Sequence, residues 1–300
     1  MSGAPSALRV ALALGAVYLF WGSTAPAMKL AVQTLPPFAL VSVRFLAGGS
    51  VLWLIARLRR VPLPQQREWA TSLVTASLLL VASNALFCWS LQTMPSGLGS
   101  LFFALSPLWM TLFAAAFDGE RIVPLAIAGL VLGIGGMLAI FVPGAAHGLP
   151  LSGIVVDLFA SVAWALGSIV QRRFRSTDLV QTSAMQMLLA APVCEALSLA
   201  TAEHPRVLAA SAASLASLAY LIVFGSVVGF SAYLWLLRNV PTTLAATYAY
   251  VNPVVSIALA TLFLHESLSW NAALGAALVV AGVACMMLAP RPRRRLAEAA

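Results

Sequence analysis

Several polar side chains lie inside long apolar segments, where they are the first candidates for contacting a small molecule. Asn84 is the only amide in its segment, and Ser106 and Asn252 stand directly before the prolines Pro107 and Pro253. A proline inside a helix frees the carbonyl group four residues earlier and kinks or breaks the helix. In a membrane, such freed groups are tolerated where they line a cavity or are satisfied by neighbouring helices. We therefore expect two helix breaks that offer polar groups to a solute, with a purely structural kink as the alternative.

Aromatic side chains accompany these polar residues. Trp21 and Trp164 fall near the middle of apolar segments, where an indole N–H needs a hydrogen-bond partner or a wet cavity. Cavity lining and ordinary packing both remain open for them. Phe87 stands three positions after Asn84, and Tyr248 stands four before Asn252, so each shares a helix face with that polar residue. Tyr233 matches Phe87 in the repeat described below. In full, the predicted substrate-binding residues are Trp21, Asn84, Phe87, Ser106, Trp164, Tyr233, Tyr248 and Asn252.

Three charged residues, Arg44, Asp157 and Glu195, also lie inside apolar segments. Each stands a few residues from the end of its segment that the topology derived below places outside, which puts it roughly 8–10 Å deep at 1.5 Å per residue. Because an unpaired charge in a bilayer is costly, we expect Arg44 to pair with Asp157 or Glu195 at the outer rim. These charges have either a structural role, as snorkelling side chains or an ion pair at the outer rim, or a functional one, as a polar vestibule that attracts zwitterions. None of these interpretations places a charge at mid-membrane. The sequence therefore predicts that a substrate at mid-membrane is bound by neutral groups and moves without tight ion coupling.

Catalytic and cofactor motifs are absent from the sequence. It contains no His-Glu-x-x-His zinc motif, no Cys-x-x-Cys pair and no phosphate-binding glycine loop. The three cysteines, Cys88, Cys194 and Cys285, all lie inside apolar segments, which argues against a disulfide framework and against a metal site. We therefore expect no enzyme activity, no cofactor and no bound metal.

The composition identifies the class of protein in which these residues work. Of the 300 residues, 61% are hydrophobic and 9% are charged, whereas soluble domains have about 45–50% and about 25%. A helix needs around 20 apolar residues to cross the hydrocarbon core of a bilayer. The sequence therefore predicts an all-α integral membrane protein with ten transmembrane helices, at roughly 8–33, 38–57, 69–92, 97–117, 123–142, 151–171, 179–200, 214–236, 243–264 and 270–289.

The net charge of +8 reports membrane orientation and not nucleic-acid binding. With the amino terminus inside, fourteen basic residues fall on the cytoplasmic side, against Lys29 and Arg206 outside. Cytoplasmic loops carry an excess of Lys and Arg, so we predict that both termini are cytoplasmic and that 145–148 and 201–214 are external.

The second half of the chain repeats the first at a constant offset of 146 residues. Seven pairs of distinctive residues coincide: Trp89 with Trp235, Pro95 with Pro241, Pro107 with Pro253, Phe117 with Phe263, Glu120 with Glu266, Gly129 with Gly275, and Gly136 with Gly282. A five-helix unit that is duplicated enters the membrane in opposite directions in its two copies, and inverted repeats of this kind are typical of secondary transporters. We predict repeats over 8–142 and 151–289, followed by a basic cytoplasmic tail at 290–300.

Short motifs at matching places extend this pattern: Trp21-Gly22-Ser23, Arg44-Phe45-Leu46, Gly119-Glu120-Arg121 and His265-Glu266-Ser267. With them, the chain resembles the EamA family of the drug/metabolite transporter (DMT) superfamily, and within it most resembles the YddG-type amino-acid exporters. The resemblance implies a central cavity lined by helices 1, 3, 4, 6, 8 and 9, with helices 5 and 10 used for packing.

The resemblance also implies a function. The chain would be a secondary transporter of the inner or plasma membrane that exports small neutral solutes, chiefly aromatic and other neutral amino acids, by alternating access. Export of drugs or of other metabolites, such as purines or sugar derivatives, is the alternative within the family. An intramembrane enzyme is disfavoured by the missing motifs, and a channel makes less use of the repeat. The expected partners are the small-molecule substrate and membrane lipid, with the protein as a monomer or weak oligomer.

Overall fold

The chain is entirely helical wherever the structure, a computed structural model, describes it. The described residues are 6–118, 123–140, 150–173, 178–203, 210–240, 247–267 and 269–288. The segment that joins the two predicted repeats, the Gly-Glu-Arg motif at 119–121 and the tail at 290–300 lie outside them.

The helices of the first half are α1 (Ala7–Gly22), α2 (Thr24–Ala31), α3 (Pro37–Leu58), α4 (Gln66–Ala76), α5 (Leu86–Ser90), α6 (Ser96–Phe103), α7 (Ser106–Asp118) and α8 (Pro124–Ile140), with a π-helical segment, π1 (Ser77–Ala85), between α4 and α5. Those of the second half are α9 (Leu151–Arg173), α10 (Leu179–Ala200), α11 (Ala212–Tyr220), α12 (Gly229–Asn239), α13 (Tyr248–Leu264) and α14 (Trp270–Leu288), with a second such segment, π2 (Leu221–Val228), between α11 and α12.

Among the described residues, seven helical stretches are long and apolar enough to cross a membrane: Ala7–Ala31, Pro37–Leu58, Gln66–Ser90, Ser96–Phe117, Leu151–Gln171, Leu179–Ala200 and Ala212–Tyr233. Three shorter apolar helices cover Pro124–Gly136, Val251–Leu264 and Ala273–Cys285. Large apolar side chains such as Leu12, Val131 and Leu262 are exposed on the outside of the bundle, as lipid contact requires. The predicted all-helical membrane class is therefore confirmed, and the count of ten spanning helices stays a prediction.

Small residues let two of these helices approach closely. A Cβ atom on Gly136 of α8 would lie 2.7 Å from the carbonyl oxygen of Gly275 of α14. A Cβ atom on Gly282 of α14 would lie 2.6 Å from the carbonyl oxygen of Gly129 of α8. In membranes, where helices gain nothing from leaving water, such backbone approach is a main source of packing energy.

Interruptions of the helices fall in the interior of the bundle. Ser23 separates α1 from α2, and its hydroxyl lies 2.6 Å from the Tyr220 hydroxyl. The helix is also interrupted at 104–105, directly before Ser106 and Pro107. The predicted break at Pro253 is absent, because α13 runs through that proline. Pro253 is only the sixth residue of α13, so the missing backbone N–H costs the helix a single bond near its start.

Charged side chains join helix ends at the end of the bundle that carries Lys29. The Lys29 ammonium donates to the carbonyls of Leu91 (2.8 Å) and Met94 (2.9 Å) in the turn after α5. The Glu203 carboxylate accepts from the backbone N–H groups of Phe38 and Ala39 at the start of α3. These bonds satisfy groups that a helix end leaves without internal partners.

Candidate functional site

A cavity lies in the interior of the bundle, where the interrupted and π-helical segments meet. Its volume is about 170 Å³. A single buried water needs only about 10–15 Å³ of such space, so the cavity has room for a small organic molecule. Its lining residues are Trp21, Gly22, Thr24, Ala25, Arg44, Phe45, Leu80, Asn84, Phe87, Ser100, Phe103, Ala104, Ser106, Met110, Trp164, Met187, Gly225, Phe230, Tyr248, Ala249, Asn252 and Pro253.

Most of the residues singled out from the sequence meet at this cavity. Seven of the eight predicted substrate-binding residues line it: Trp21, Asn84, Phe87, Ser106, Trp164, Tyr248 and Asn252. The eighth, Tyr233, does not line it and instead packs behind Trp21 and Tyr248, with ring centroids 4.9 Å and 5.5 Å away. Pro253 is also in the lining, and the side chain of Pro107 lies outside the described residues.

Two aromatic clusters form parts of the wall. The Trp21 ring from α1 lies 5.4 Å from that of Phe230 and 5.2 Å from that of Tyr248. The Phe103 ring from α6 lies 5.1 Å from that of Phe87 and 5.5 Å from that of Trp164. Edge-on and tilted contacts of this kind are the favoured geometry for aromatic pairs, and they hold the rings in place. The wall can therefore contact an apolar or aromatic group without losing much side-chain freedom.

Polar groups complete the lining, some with a hydrogen-bond partner and some without one among the described residues. The side-chain oxygens of Asn84 and Asn252 are buried and have no hydrogen-bond partner among the described residues. The Ser106 hydroxyl donates to the Phe103 carbonyl at the break between α6 and α7. The Trp21 N–H donates to the Gly225 carbonyl in π2 (3.1 Å). Buried polar atoms are nearly always hydrogen-bonded, so the two orphaned amide oxygens mark places where a ligand or water belongs.

Arg44 is placed differently from the sequence expectation. Its guanidinium lines the cavity and donates through Nε to the Ser226 hydroxyl at 3.0 Å, not to Asp157 or Glu195. The prediction of an ion pair at the rim is therefore wrong, and so is the expectation that the cavity has only neutral groups. The reason is that α3 turns this residue inward, toward π2, instead of along the bundle surface.

The two acids lie outside the lining. Asp157 is fully buried in α9, where one carboxylate oxygen accepts from the Ser90 hydroxyl and the other has no hydrogen-bond partner among the described residues. Glu195 is half-buried in α10. In the part of the chain that the structure describes, no group of three His, Cys, Asp or Glu side chains could hold a metal ion.

Sequence reasoning missed the contributions of α3 and α10, and the π-helical form of the eighth span at π2. Arg44 and Phe45 come from α3, Met187 from α10 and Gly225 from π2. The lining therefore includes the second and seventh predicted spans as well as the six that the resemblance implied. π-Helical turns inside α-helices occur frequently at functional sites, but no residue pattern in the sequence signals them here.

Comparison with known proteins places this geometry in context. A model of the EamA-like transporter family matches residues 8–142 and 151–288. The uncharacterized inner membrane transporter YedA of Escherichia coli K12 is 34% identical over 258 residues, which cover 86% of this chain and 83% of that protein. A probable amino-acid metabolite efflux pump of the same strain is 28% identical over 279 residues, covering 89% and 91%. A solved structure with 21% identity has a TM-score of 0.64 over 93% of this chain and 96% of that one, which indicates a shared fold.

Proposed function

Because the chain belongs to the EamA-like transporter family of the DMT superfamily, we propose that it exports small neutral solutes, chiefly aromatic and other neutral amino acids, by alternating access. It is a multi-pass inner-membrane transporter and not an enzyme. Within the family we assign it to the YddG-type amino-acid exporters. The observation that carries the proposal is the interior cavity, whose walls combine two aromatic clusters with amide oxygens that have no partner.

We further propose that the chain has ten spans in two inverted repeats, 8–142 and 151–289, with both termini cytoplasmic. The two separate matches of one family model support this division. So does the reciprocal contact of α8 and α14, in which Gly136 meets Gly275 and Gly282 meets Gly129. If the two halves are related by a two-fold axis, each contact from α8 to α14 has an equivalent contact from α14 to α8, as these two glycine pairs do.

The site residues follow from the same symmetry. Phe87 and Tyr233 are partners at the 146-residue offset, and each belongs to an aromatic cluster on its own side of the cavity. The segments π1 and π2 likewise occupy matching places in the two halves. In inverted-repeat transporters the substrate sits where the halves meet, at irregular helices, and this cavity has that position.

Amino acids are the proposed substrate class because the lining suits both parts of such a molecule. The aromatic walls would contact an apolar side chain, and the polar groups would contact the backbone atoms of the substrate. Apolar contact discriminates weakly between side chains that differ by a methylene, so we expect several neutral amino acids to be accepted. The name of the Escherichia coli relative, a probable amino-acid metabolite efflux pump, favours the same class.

The test uses purified protein in proteoliposomes loaded with labelled neutral amino acids. We expect efflux from wild type, and a drop of about tenfold or more in the Ala variants of Asn84, Asn252, Trp21 and Trp164, because each loses a cavity contact. Trp270→Ala is the matched control, since Trp270 is 81% exposed and far from the lining. Efflux of a purine, sugar derivative or dye in place of amino acids would favour the other metabolite class. If all four Ala variants export at the wild-type rate, the cavity is not the route.

A further inference from the structure

We propose that Arg44 binds the carboxylate of the substrate, so that the transported molecules must carry a free carboxylate. The inference rests on the proposed function, because it assigns a role within the same cavity. It also narrows the substrate class: α-amino acids qualify, whereas amines, amides and neutral drugs of the same shape do not.

Arg44 is buried in a way that calls for an anion. Its side chain is only 4% exposed, it lies in a membrane-spanning helix, and its Nη1 has no hydrogen-bond partner among the described residues. A guanidinium carries five N–H donors in a planar fork that fits a carboxylate with two parallel bonds. The Ser226 hydroxyl accepts from Nε and no described group accepts from Nη1, so the guanidinium keeps donor capacity that the described residues do not use.

Among the described residues, no carboxylate lines the cavity beside Arg44. Arg44 is the one charged side chain among the described residues that line it. Asp157 is engaged by the Ser90 hydroxyl elsewhere in the bundle, and Glu195 is not in the lining. A cavity with one fixed positive charge and no acid attracts the negative end of a solute, since electrostatic interactions are strong where water is excluded.

The local backbone is shaped to let the guanidinium reach the cavity. A Cβ atom at Gly225 would lie 3.2 Å from Nη2 of Arg44, closer than a side chain there would comfortably allow. The same stretch, π2, supplies Ser226 as the partner of Nε and the Gly225 carbonyl as the partner of the Trp21 N–H. One π-helical segment therefore positions both the cation and an aromatic wall residue.

The rest of the lining suits the other charge of an amino acid. An ammonium group has three N–H donors and no acceptor, and it needs oxygen atoms around it. The amide oxygens of Asn84 and Asn252 are acceptors that have no partner among the described residues. The cavity thus offers a cationic donor for a carboxylate and neutral acceptors for an ammonium, which is the pattern of a zwitterion.

The experiment compares ligands that differ in one group. L-leucine, leucinamide and 3-methylbutylamine share a side chain, but only leucine has a carboxylate, and 4-methylpentanoate has the carboxylate without the ammonium. Binding in detergent is read from the change in intrinsic tryptophan fluorescence, to which Trp21 and Trp164 in the cavity wall contribute, and efflux is read from proteoliposomes. We expect wild type to bind leucine at least about tenfold more tightly than leucinamide, because a paired charge is worth more than a neutral contact.

Variants separate a substrate contact from a structural role. Arg44→Met should weaken leucine binding at least about tenfold and leave leucinamide binding unchanged, so that the discrimination disappears. Arg44→Lys should keep part of it, because an ammonium retains the charge but loses the fork. Arg9→Gln is the control, since it removes an exposed positive charge at the start of α1. A structural role of Arg44 would weaken both ligands equally, and that result overturns the proposal.

The outcomes also separate this inference from the proposed function. If wild type exports leucine and leucinamide equally well, amino-acid export stands and the role of Arg44 is wrong. If wild type exports no amino acid but binds 4-methylpentanoate in an Arg44-dependent way, the carboxylate site stands and the proposed function fails. Should Arg44→Met not fold, the comparison of the four ligands on wild type and on Arg44→Lys still decides the question.

Discussion

Glu266 holds the start of α6, one of the helices that carry the cavity. Its carboxylate accepts from the backbone N–H groups of Ser96 (2.8 Å) and Gly97 (3.1 Å) and from the Ser96 hydroxyl (2.9 Å). A negative charge at this end also interacts favourably with the helix dipole. The contact joins the loop after α13 to α6, so it links two parts of the cavity wall.

Replacing Glu266 with Gln keeps one acceptor oxygen and removes the charge. A hydrogen bond to a charged group contributes about 1.5–3 kcal/mol and the dipole interaction about 0.3–1 kcal/mol, and the bonds that remain offset part of the loss. We therefore expect the free energy of unfolding to fall by about 1–3 kcal/mol. At about 2–4 °C per kcal/mol for a chain near this size, the melting temperature should fall by about 2–12 °C.

The assay is thermal unfolding in detergent, followed with a thiol-reactive fluorophore. Cys88 and Cys194 are buried, so they react only when the bundle opens. Glu68→Gln is the matched control, because Glu68 accepts from the Gln65 N–H at the solvent-exposed start of α4. That exposed interaction should contribute less than about 1 kcal/mol. A Glu266→Gln protein that melts within the error of wild type would refute the reasoning, as would a larger loss in the control.

Three other predictions concern packing, coupling and orientation. Gly136→Ala should destabilise the protein by about 1–3 kcal/mol, because the new Cβ atom would lie 2.7 Å from the backbone of α14. The control Gly135→Ala has nothing within 4 Å of its Cβ atom and should be neutral or slightly stabilising. Equal melting temperatures of the two variants would contradict this prediction. Asp157→Asn should keep both stability and export, because the amide oxygen can still accept from the Ser90 hydroxyl. If this variant lost export at an unchanged melting temperature, the result would assign proton coupling to Asp157. A cysteine placed in the connector 59–65 should react with a membrane-impermeant thiol reagent only from the cytoplasmic side, and labelling from outside would reverse the topology.

The amino-acid sequence by itself determines the class of the protein and much of the cavity composition. The cost of placing a residue in hydrocarbon adds up along a segment, so the apolar helices can be read from composition and length alone. The mid-segment aromatic and amide residues were also readable, because side chains three or four positions apart share a face. Asn84, Phe87 and Tyr248 line the cavity as expected, and so do Trp21 and Trp164.

Only the tertiary structure decides which way each residue faces around its helix. A position in the sequence gives depth along the membrane normal, since the helix rises a constant 1.5 Å per residue. A helix that is apolar on every side has no marked face, so its rotation is set by the neighbours it packs against. This is why the sequence predicted the wrong partner for Arg44, and why π2 had to be seen before Gly225 and Ser226 gained a role. Whether Pro253 interrupts its helix was likewise decided by where α13 begins, which the sequence pattern does not fix.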